Sequence, residues 1–365
     1  MRLSVTIWQL APAEKLTGAA LAAYHYAQQE HVLMKSFSLA IWQQYLLSIN
    51  AASVKSGVIV DALLGTGIVG SVRPEYVEAI EAINRCDWPV LALDIPSGVN
   101  ADTGDVGSTA IKANATISFI GLKLGLFTAK GRVFSGQRYF SDLAVPESIY
   151  PTVSAVAQRL QLDDVVGAIT PRPIDAHKRN CGHLVVIGGD HGFGGAPLMA
   201  AEMAMRCGAG MVSIATRSEH ISAILARRPE LMTVNIASGQ KLHPLLQKAS
   251  GLVIGPGMGC STWSIELLSH AMAVDLPLVI DADALNLLAN NDLPLHIHDR
   301  QWILTPHPGE AARLLGISNS EVQADRIQAA RDIQGCSPLD TNPCIVEGNN
   351  GKSQQLDHVQ PIMTD

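Results

Sequence analysis

The sequence is built from short apolar runs, and each run ends in a loop that carries glycines or acidic residues. One such run, residues 58–64, ends in Gly65-Thr66-Gly67 and precedes a stretch, 74–84, with aliphatic residues at helical spacing. Alternating strand-like and helix-like runs are typical of parallel β-sheets covered by helices. We therefore predict an α/β fold.

The same alternation continues along most of the chain. Strand-like runs are predicted at 58–64, 89–93, 115–120, 184–187, 212–215, 252–254, 278–280 and 302–304. Helices are predicted at 74–84, 196–207, 264–272 and 309–315, the last ending at Gly316. Ser318 and Glu321 form a capping-box pattern that opens a further helix to about residue 333.

The chain is long enough for about two domains. Its 365 residues, 47% of them hydrophobic, can bury more than one core. A proline-rich stretch without periodicity, 145–173, is the best candidate boundary, and polar residues dominate from Gly335 onward. We predict domains at 1–150 and 165–335, followed by a divergent tail at 336–365.

Charge, hydropathy and cysteine usage narrow the class of protein. The net charge of -7, without a long basic block, argues against a nucleic-acid partner. No apolar stretch approaches the roughly 20 residues that span a bilayer, so no membrane partner is predicted. Residues 1–13 only mimic a signal peptide, because polar residues interrupt a short apolar run, and a buried first strand is predicted instead. The six scattered cysteines contain no C-x-x-C pair and indicate a reducing cytoplasm.

Two acidic residues end neighbouring strand-like runs in the first half. Asp61 precedes the glycine-rich stretch 65–70, and Asp94 precedes Ser97 and Gly98. Two carboxylates and a hydroxyl at adjacent strand ends can coordinate a cation or hold ligand hydroxyls, and the glycines let the backbone approach a phosphate. Asp61 and Asp94 could equally cap loops and helices, and the residues alone leave both interpretations open.

Four polar or glycine-rich loops follow strand-like runs in the second half. The loop 188–195 precedes a helix and is expected to present free backbone N–H groups to an anion, although it does not match G-x-G-x-x-G. The others lie at 255–259, 281–286 and 305–310. Together they predict a cleft for a phosphorylated or nucleotide-like ligand at one sheet edge. His307 either begins a helix or faces this cleft, since its flanking prolines fix the backbone that aims the imidazole.

Other motifs are interpreted as structural. Three histidines receive no ligand role: His177, His183 and His191. His296 and His298 lack further nearby ligands, so a solvated loop is predicted there. The stretch 348–353 is not a phosphate-binding loop, because Val346 stands where its first glycine is required.

Taken in order, these strings resemble the bifunctional NAD(P)H-hydrate repair enzymes, in which an N-terminal epimerase is fused to an ADP- or ATP-dependent dehydratase. The resemblance covers about residues 55–335. It is carried by 59–67, 93–98 and 119–126 in the first half, and by His177, Lys178, Gly182, 188–210, 228–232, 255–259, 281–286 and 305–310 in the second.

The resemblance implies a Rossmann-like domain followed by a ribokinase-like domain. It implies that Asp61 and Ser97 bind potassium. It also implies that Asp94 and one loop hold the hydrated dinucleotide, the loop being Gly65, Thr66, Gly67, Ile68, Val69, Gly70 and Ser71. Ala196, Gly257 and His307 are implied to contact the same small-molecule substrate in the dehydratase.

The implied activities are those of an isomerase and a lyase in metabolite repair. The first interconverts the R and S hydrates, and the second restores NAD(P)H from the S hydrate. The nucleotide, ADP or ATP with Mg²⁺, is implied to phosphorylate the ring hydroxyl so that it becomes a good leaving group. A homo-oligomer is left open.

Two departures from the family pattern bear on activity. The family pattern has a Gly-Asn-Asn-Gly-Gly-Asp-Gly loop before the residues that correspond to 3–7. We predict that both domains are truncated, the first at this loop and the second in the tail. In the tail, Glu347 stands where the nucleotide loop requires lysine, and the Gly-Asp helix start that carries the catalytic aspartate has no counterpart. Two alternatives follow: a catalytically impaired dinucleotide-binding fragment, and a small-molecule kinase of the ribokinase-like class.

Overall fold

The computed structural model describes residues 4–51, 57–153, 155–167, 171–290 and 301–335. The chain separates into two compact units, Met1–Val156 and Ala157–Asp365. Each unit contains parallel β-sheet with helices between the strands, so the α/β prediction is confirmed. The tail 336–365 and the histidine pair at 296 and 298 lie outside the described residues.

The first unit contains a two-stranded and a four-stranded parallel sheet. Its elements are β1 (Thr6–Gln9), α1 (Gly18–Gln29), β2 (Leu33–Ser36), α2 (Leu39–Ala51), β3 (Ile59–Asp61), α3 (Pro74–Asn84), β4 (Val90–Leu93), β5 (Ala115–Phe119), α4 (Gly131–Phe134) and β6 (Gln137–Ser141). β1 pairs with β2, and the larger sheet runs in the order β3-β4-β5-β6. Because its strands are parallel, the loops that follow β3, β4 and β5 leave from one edge.

The core of the first unit explains why α3 forms where the periodicity predicts. Pro74 occupies the first helical turn, where its missing N–H costs nothing. Ile80 and Ile83 then pack against Val90 of β4 in one buried cluster. The run 58–64 behaves differently: only Ile59–Asp61 is strand, and Val60 is exposed. The prediction of a buried strand there is wrong in extent, because the chain turns away after Asp61.

The second unit contains a six-stranded parallel sheet. Its elements are α5 (Leu162–Val166), β7 (His183–Ile187), α6 (Gly195–Arg206), β8 (Met211–Thr216), α7 (Ser218–Arg227), β9 (Met232–Asn235), α8 (His243–Leu246), β10 (Gly251–Ile254), α9 (Thr262–Met272), β11 (Leu278–Ile280), α10 (Asp283–Ala289), β12 (Trp302–Leu304), α11 (Pro308–Leu315), α12 (Asn319–Ala324) and α13 (Arg326–Gly335). The strand order is β12-β11-β10-β7-β8-β9.

This order reverses direction once, between β7 and β10. The chain adds β8 and β9 on one side of β7 and then returns to add β10, β11 and β12 on the other side. In open parallel sheets, ligands bind outside the carboxyl ends of the strands at such a reversal. The topology therefore singles out the loops after β7 and β10 before any side chain is considered.

Two terminal elements differ from the sequence prediction. The single helix predicted from Ser318 to about residue 333 is two helices, because Asp325 leaves the helical region and its carboxylate accepts a hydrogen bond from Gln328 N at 2.9 Å. Asp325 thus begins α13. β1 is a strand, as predicted, but it is half-buried rather than buried. Among the described residues, no helix has the length and apolar character needed to cross a membrane.

Candidate active sites

Asp61 ties the end of β3 to the loop that follows β4. Its two carboxylate oxygens accept hydrogen bonds from Ser97 N at 2.8 Å and Ser97 Oγ at 2.6 Å, and Leu63 N donates at 3.2 Å. Both Asp61 and Ser97 are buried. Burial raises the pKa of the Asp61 carboxyl, against the lowering effect of these hydrogen bonds. The loop-tying interpretation of Asp61 is therefore present in the structure, and the carboxylate carries an electrostatic cost.

The loop from Gly65 to Ser71 is held at its base and open at its top. Leu64 N donates to Ser97 Oγ at 2.8 Å, and Asn100 Nδ2 donates to Ile68 O at 3.2 Å. A Cβ added at Gly65, Gly67 or Gly70 would meet no atom within 4 Å. The loop therefore lines an open surface beside Asp61 and Ser97, as a ligand-binding loop requires.

Asp94 is held at the end of β4 in an unusual backbone conformation. Its φ is 68°, and its N–H donates to Ile117 O of β5 at 2.7 Å. Its Oδ1 accepts from Phe119 N at 3.0 Å and forms an ion pair with Lys123. A non-glycine residue in this region of φ is strained, and such strain concentrates at functional sites.

Replacing Asp61 separates its structural role from its charge. We expect Asp61→Ala to lower the free energy of unfolding of the first unit by about 2 kcal/mol, because buried donors on Ser97 and Leu63 lose their acceptor. Asp61→Asn keeps one acceptor oxygen and removes the buried charge, so it should stay within about 1 kcal/mol of the wild type. Urea unfolding of both variants measures this, and an unchanged stability of Asp61→Ala would show that the tie contributes nothing.

The loops after β7 and β10 meet where the strand order reverses. Gly189 N donates to Pro256 O at 3.1 Å, and Asp190 N donates to Gly257 O at 2.8 Å. A Cβ added at Gly257 would lie 3.3 Å from the Cβ of Ala196. The structure therefore brings together Ala196 and Gly257, which the sequence predicted to share one site.

The glycine-rich loop does not leave all its N–H groups free. Beyond the bonds of Gly189 and Asp190, Phe193 N donates to Asp190 O at 2.9 Å. Gly192 N donates to Glu219 Oε1 at 3.1 Å, so a carboxylate of the chain takes that donor. The expectation of a loop of free donors is wrong over these residues. What remains for an anion is the N-terminal end of α6, next to Ala196.

Asp190 fixes this loop to its neighbours. Its Oδ1 accepts from Arg217 Nε at 2.8 Å and its Oδ2 accepts from Ser261 Oγ at 3.0 Å. Burial disfavours the ionised carboxylate, but these hydrogen bonds outweigh it and lower the pKa of Asp190. The Arg217 guanidinium lies 4.1 Å from the Trp263 ring centre, a cation–π distance. Asp190 thereby couples the ends of β7, β8 and β10.

His307 begins α11 on the same sheet edge. Its Nδ1 accepts from Gly309 N at 3.0 Å, and its Nε2 lies 3.1 Å from Glu310 Oε1. Since Nδ1 accepts, the neutral ring carries its proton on Nε2 and donates it to Glu310. Burial raises the pKa of the Glu310 carboxyl, against the lowering effect of the His307 N–H bond. Both ring nitrogens are committed, so His307 offers a ligand its half-exposed ring rather than a free base.

Asp281 and Asp283 link the His307 region to the reversal. Thr305 Oγ1 donates to Asp281 Oδ1 at 2.7 Å, and Gly259 N donates to Asp283 Oδ2 at 2.8 Å. These bonds join the ends of β12, β11 and β10 in sequence. β12 lies three strands from β7, a separation of about 14 Å, which suits an elongated ligand.

Two substitutions at His307 distinguish capping from ligand contact. We expect His307→Ala to destabilise the second unit by about 1 kcal/mol, the usual cost of a lost N-cap. His307→Asn keeps a capping acceptor and should restore most of that stability. If the ring contacts the ligand, both variants bind NADH hydrate more weakly. Normal affinity in the asparagine variant would leave His307 with the capping role alone.

Both halves of the chain match known protein families. The NAD(P)H-hydrate dehydratase family matches residues 184–337, and the YjeF-related protein N-terminus family matches residues 1–125. The bifunctional NAD(P)H-hydrate repair enzyme of Coxiella burnetii is 46% identical over 332 residues, which are 91% of this chain and 65% of that protein. This chain belongs to the bifunctional NAD(P)H-hydrate repair enzyme family. The resemblance stated from the motifs is confirmed.

Other members of the family match over shorter stretches. The Escherichia coli enzyme is 43% identical over 274 residues, covering 75% of this chain and 52% of that protein. The Leishmania braziliensis enzyme is 41% identical over 322 residues, covering 80% of this chain and 56% of that protein. The chain thus spans about half to two thirds of the length of these relatives.

Solved structures are similar over part of the chain. A Bacillus subtilis ADP/ATP-dependent NAD(P)H-hydrate dehydratase, co-crystallised with ATP and Mg²⁺, is 28% identical, with a TM-score of 0.39. The match covers 45% of this chain and 58% of that one. The fold of the second unit is assigned from its own strand order and from the family match.

Sequence reasoning missed residues that hold the sites together. Lys123 stands alone among apolar residues and glycines directly after β5, and this isolation was the available signal. Arg217 and Asn100 gave no signal, because their partners Asp190 and Ile68 are 27 and 32 residues away. The tail motifs around Glu347 lie outside the described residues.

Proposed function

We propose that this chain carries out NAD(P)H-hydrate repair in two steps, one in each unit. The first unit interconverts the R and S hydrates, and the second dehydrates the S hydrate to NADH or NADPH. The full-length relatives are named bifunctional NAD(P)H-hydrate repair enzymes, and this chain spans 65% of the one from Coxiella burnetii. We also propose the cytoplasm as its location, in keeping with the free thiols of Cys86, Cys181, Cys207 and Cys260.

The observation that carries the proposal is the contact between the two loops at the strand reversal. Ala196 opens α6 and has a small side chain, and Gly257 has a φ of 58° that suits glycine. Phe193 O and Cβ lie close to Gly257, so the two loops are in contact, but Ala196 and Gly257 are both partly exposed. A flat ring can therefore lie on their exposed side. The N-terminal end of α6 favours negative charge, such as a dinucleotide phosphate, at the same place.

The first unit supports a hydroxyl-bearing ligand. Asp94, Asp61 and Ser97 lie at the carboxyl ends of the adjacent strands β3 and β4, next to the open loop from Gly65 to Ser71. Carboxylate oxygens accept hydrogen bonds from hydroxyls, and the exposed loop gives a dinucleotide room. Epimerisation requires the carbon that carries the hydroxyl to be held beside such a group.

Potassium fits the Asp61 site. The buried carboxylate is hydrogen-bonded to uncharged groups, and Ser97 Oγ also lies 3.2 Å from Leu64 O. Carboxylate, hydroxyl and carbonyl oxygens are ligands for a hard cation, which would offset the charge that burial disfavours. Potassium would there support the base of the Gly65–Ser71 loop. It should raise the melting temperature of the wild type but not that of Asp61→Ala.

We also propose that ADP or ATP with Mg²⁺ drives the dehydration, on the family resemblance. The described residues do not by themselves fit a magnesium site. They contain no cluster of three or more metal-ligating side chains, and Asp281 and Asp283 are engaged by Thr305 and Gly259. The stretch compared with the nucleotide loop, 346–351, lies outside them.

One assay tests both steps. The protein is incubated with a mixture of R and S NADH hydrates and ATP or ADP, and NADH absorbance is followed. If both units are active, the whole mixture is converted to NADH in one fast phase. If only the dehydratase is active, NADH forms quickly until the S hydrate is consumed and then only as fast as the R hydrate epimerises spontaneously. Asp94→Asn should show that second course. Tight hydrate binding without any NADH would favour the non-catalytic alternative and contradict the proposal.

A further inference from the structure

The ion pair between Asp94 and Lys123 divides the two oxygens of the Asp94 carboxylate into different roles. Oδ1 receives Phe119 N at 3.0 Å, Ser118 Oγ at 3.4 Å and the Lys123 ammonium. Across the described parts of the chain, Oδ2 has no hydrogen-bond donor. One oxygen is thus saturated by the protein, and the other is left for a ligand.

Lys123 is itself held in a fixed position. Besides Asp94, its Nζ donates to Phe119 O at 2.8 Å. Its side chain is only 18% exposed, so the pair is shielded from bulk water more than a surface ion pair is. An ammonium has three N–H donors, and in the described residues two of them have acceptors. One donor of Lys123 therefore remains for a ligand.

The backbone on both sides of the pair is strained. Asp94 has a φ of 68°, and Ile120, a β-branched residue, has a φ of 63°. Ile120 N donates to Ser141 O at 2.9 Å, and Gly121 N donates to Phe119 O at 2.6 Å. These bonds bend the chain after β5 so that Lys123 returns to the strand ends. A conformation that costs free energy at Asp94 and in the turn that leads to Lys123 indicates a functional arrangement rather than a chance surface contact.

We propose that Lys123 is a positioning residue of the epimerisation site, and that it orients Asp94 so that Oδ2 receives the hydroxyl of the hydrate. The remaining Lys123 donor is available to the same ligand. This inference rests on the proposed epimerase function. It adds a residue that acts through Asp94 and states which carboxylate oxygen meets the ligand.

Lys123→Met tests the inference in the full chain. We expect the epimerisation kcat to fall about 10- to 100-fold, the range for one hydrogen bond to a charged group, with a smaller change in KM. Lys123→Arg keeps the positive charge and should recover part of the rate. Lys130→Met is the matched control, because Lys130 lies in the same unit, is exposed and pairs only loosely with Asp105 at 3.8 Å.

A double variant separates positioning from general destabilisation. If Lys123 acts through Asp94, combining Lys123→Met with Asp94→Asn lowers kcat no further than Asp94→Asn alone. Melting temperatures of all variants are measured in parallel. If the wild type epimerises the hydrate and Lys123→Met does so at the same rate, or if the losses in the double variant are fully additive, this inference is overturned and the proposed function is not. No epimerisation and no hydrate binding by the wild type would overturn the proposed function together with it.

Discussion

Gly255→Ala is expected to destabilise the second unit by about 4 kcal/mol, a large share of the stability of an ordinary domain. Gly255 has a φ of 120°, which L side chains avoid, and a Cβ there would lie 1.7 Å from Asp281 O. The neighbour cannot yield easily, since Asp281 N bonds to Ile254 O and Gly255 N bonds to Ile187 O. The loop after β10 thus depends on a close approach to the backbone that follows β11.

Gly316→Ala is the matched control for that change. Gly316 ends α11 with a φ of 67°, and a Cβ there would meet nothing within 4 Å. It should cost only about 1 kcal/mol, the strain of a left-handed residue. Urea unfolding of both variants, followed by tryptophan fluorescence, measures the difference. Similar losses at the two glycines would mean that backbone contact at Gly255 is unimportant.

The strand order was the part of the fold that the sequence could not provide. Apolar runs and their loops predicted most strands of the larger sheets to within one or two residues, because a buried parallel strand needs a continuous apolar segment. The reversal between β7 and β10 depends on which strands pair, and no local pattern encodes pairing. Three strands, β2, β6 and β9, and several helices, among them α1, α2, α7 and α10, were not predicted. β6 shows why, since most of its residues are exposed and give no apolar signal.

The candidate sites were predictable where a residue type and its position agreed. Asp61 and Asp94 follow strands, so their place at a sheet edge could be inferred. For His307 the sequence left a helix start and a cleft residue open, and the structure shows the helix start. The contacts of its ring with Gly309 N and Glu310 appear only in three dimensions. The loop after β7 shows the same limit, since Glu219 takes a donor from 27 residues away.

Ala196 offers the sharpest test of the cleft, because a larger side chain there would occupy it. Ala196 lies in the first turn of α6, is partly exposed and faces Gly257. We expect Ala196→Leu to keep the fold, since leucine is a good helix former and Ala196 is partly exposed, and to cover the exposed surface beside Gly257. Loss of at least about 100-fold in affinity is expected if the ring lies there, the scale of a steric clash worth about 3 kcal/mol.

Met199→Leu is the control for this measurement, since Met199 lies on the same helix and is 67% exposed. It should bind the hydrate like the wild type. Both variants should retain the wild-type melting temperature, which excludes unfolding as the cause of any loss.

The most direct measurement is calorimetric titration of the full chain and of Ala196→Leu with the S form of NADH hydrate. If the hydrated nucleotide binds at the strand reversal between β7 and β10, the wild type binds it and the leucine variant does not. Equal binding by both proteins, with their folds intact, would place the ligand elsewhere and contradict the account.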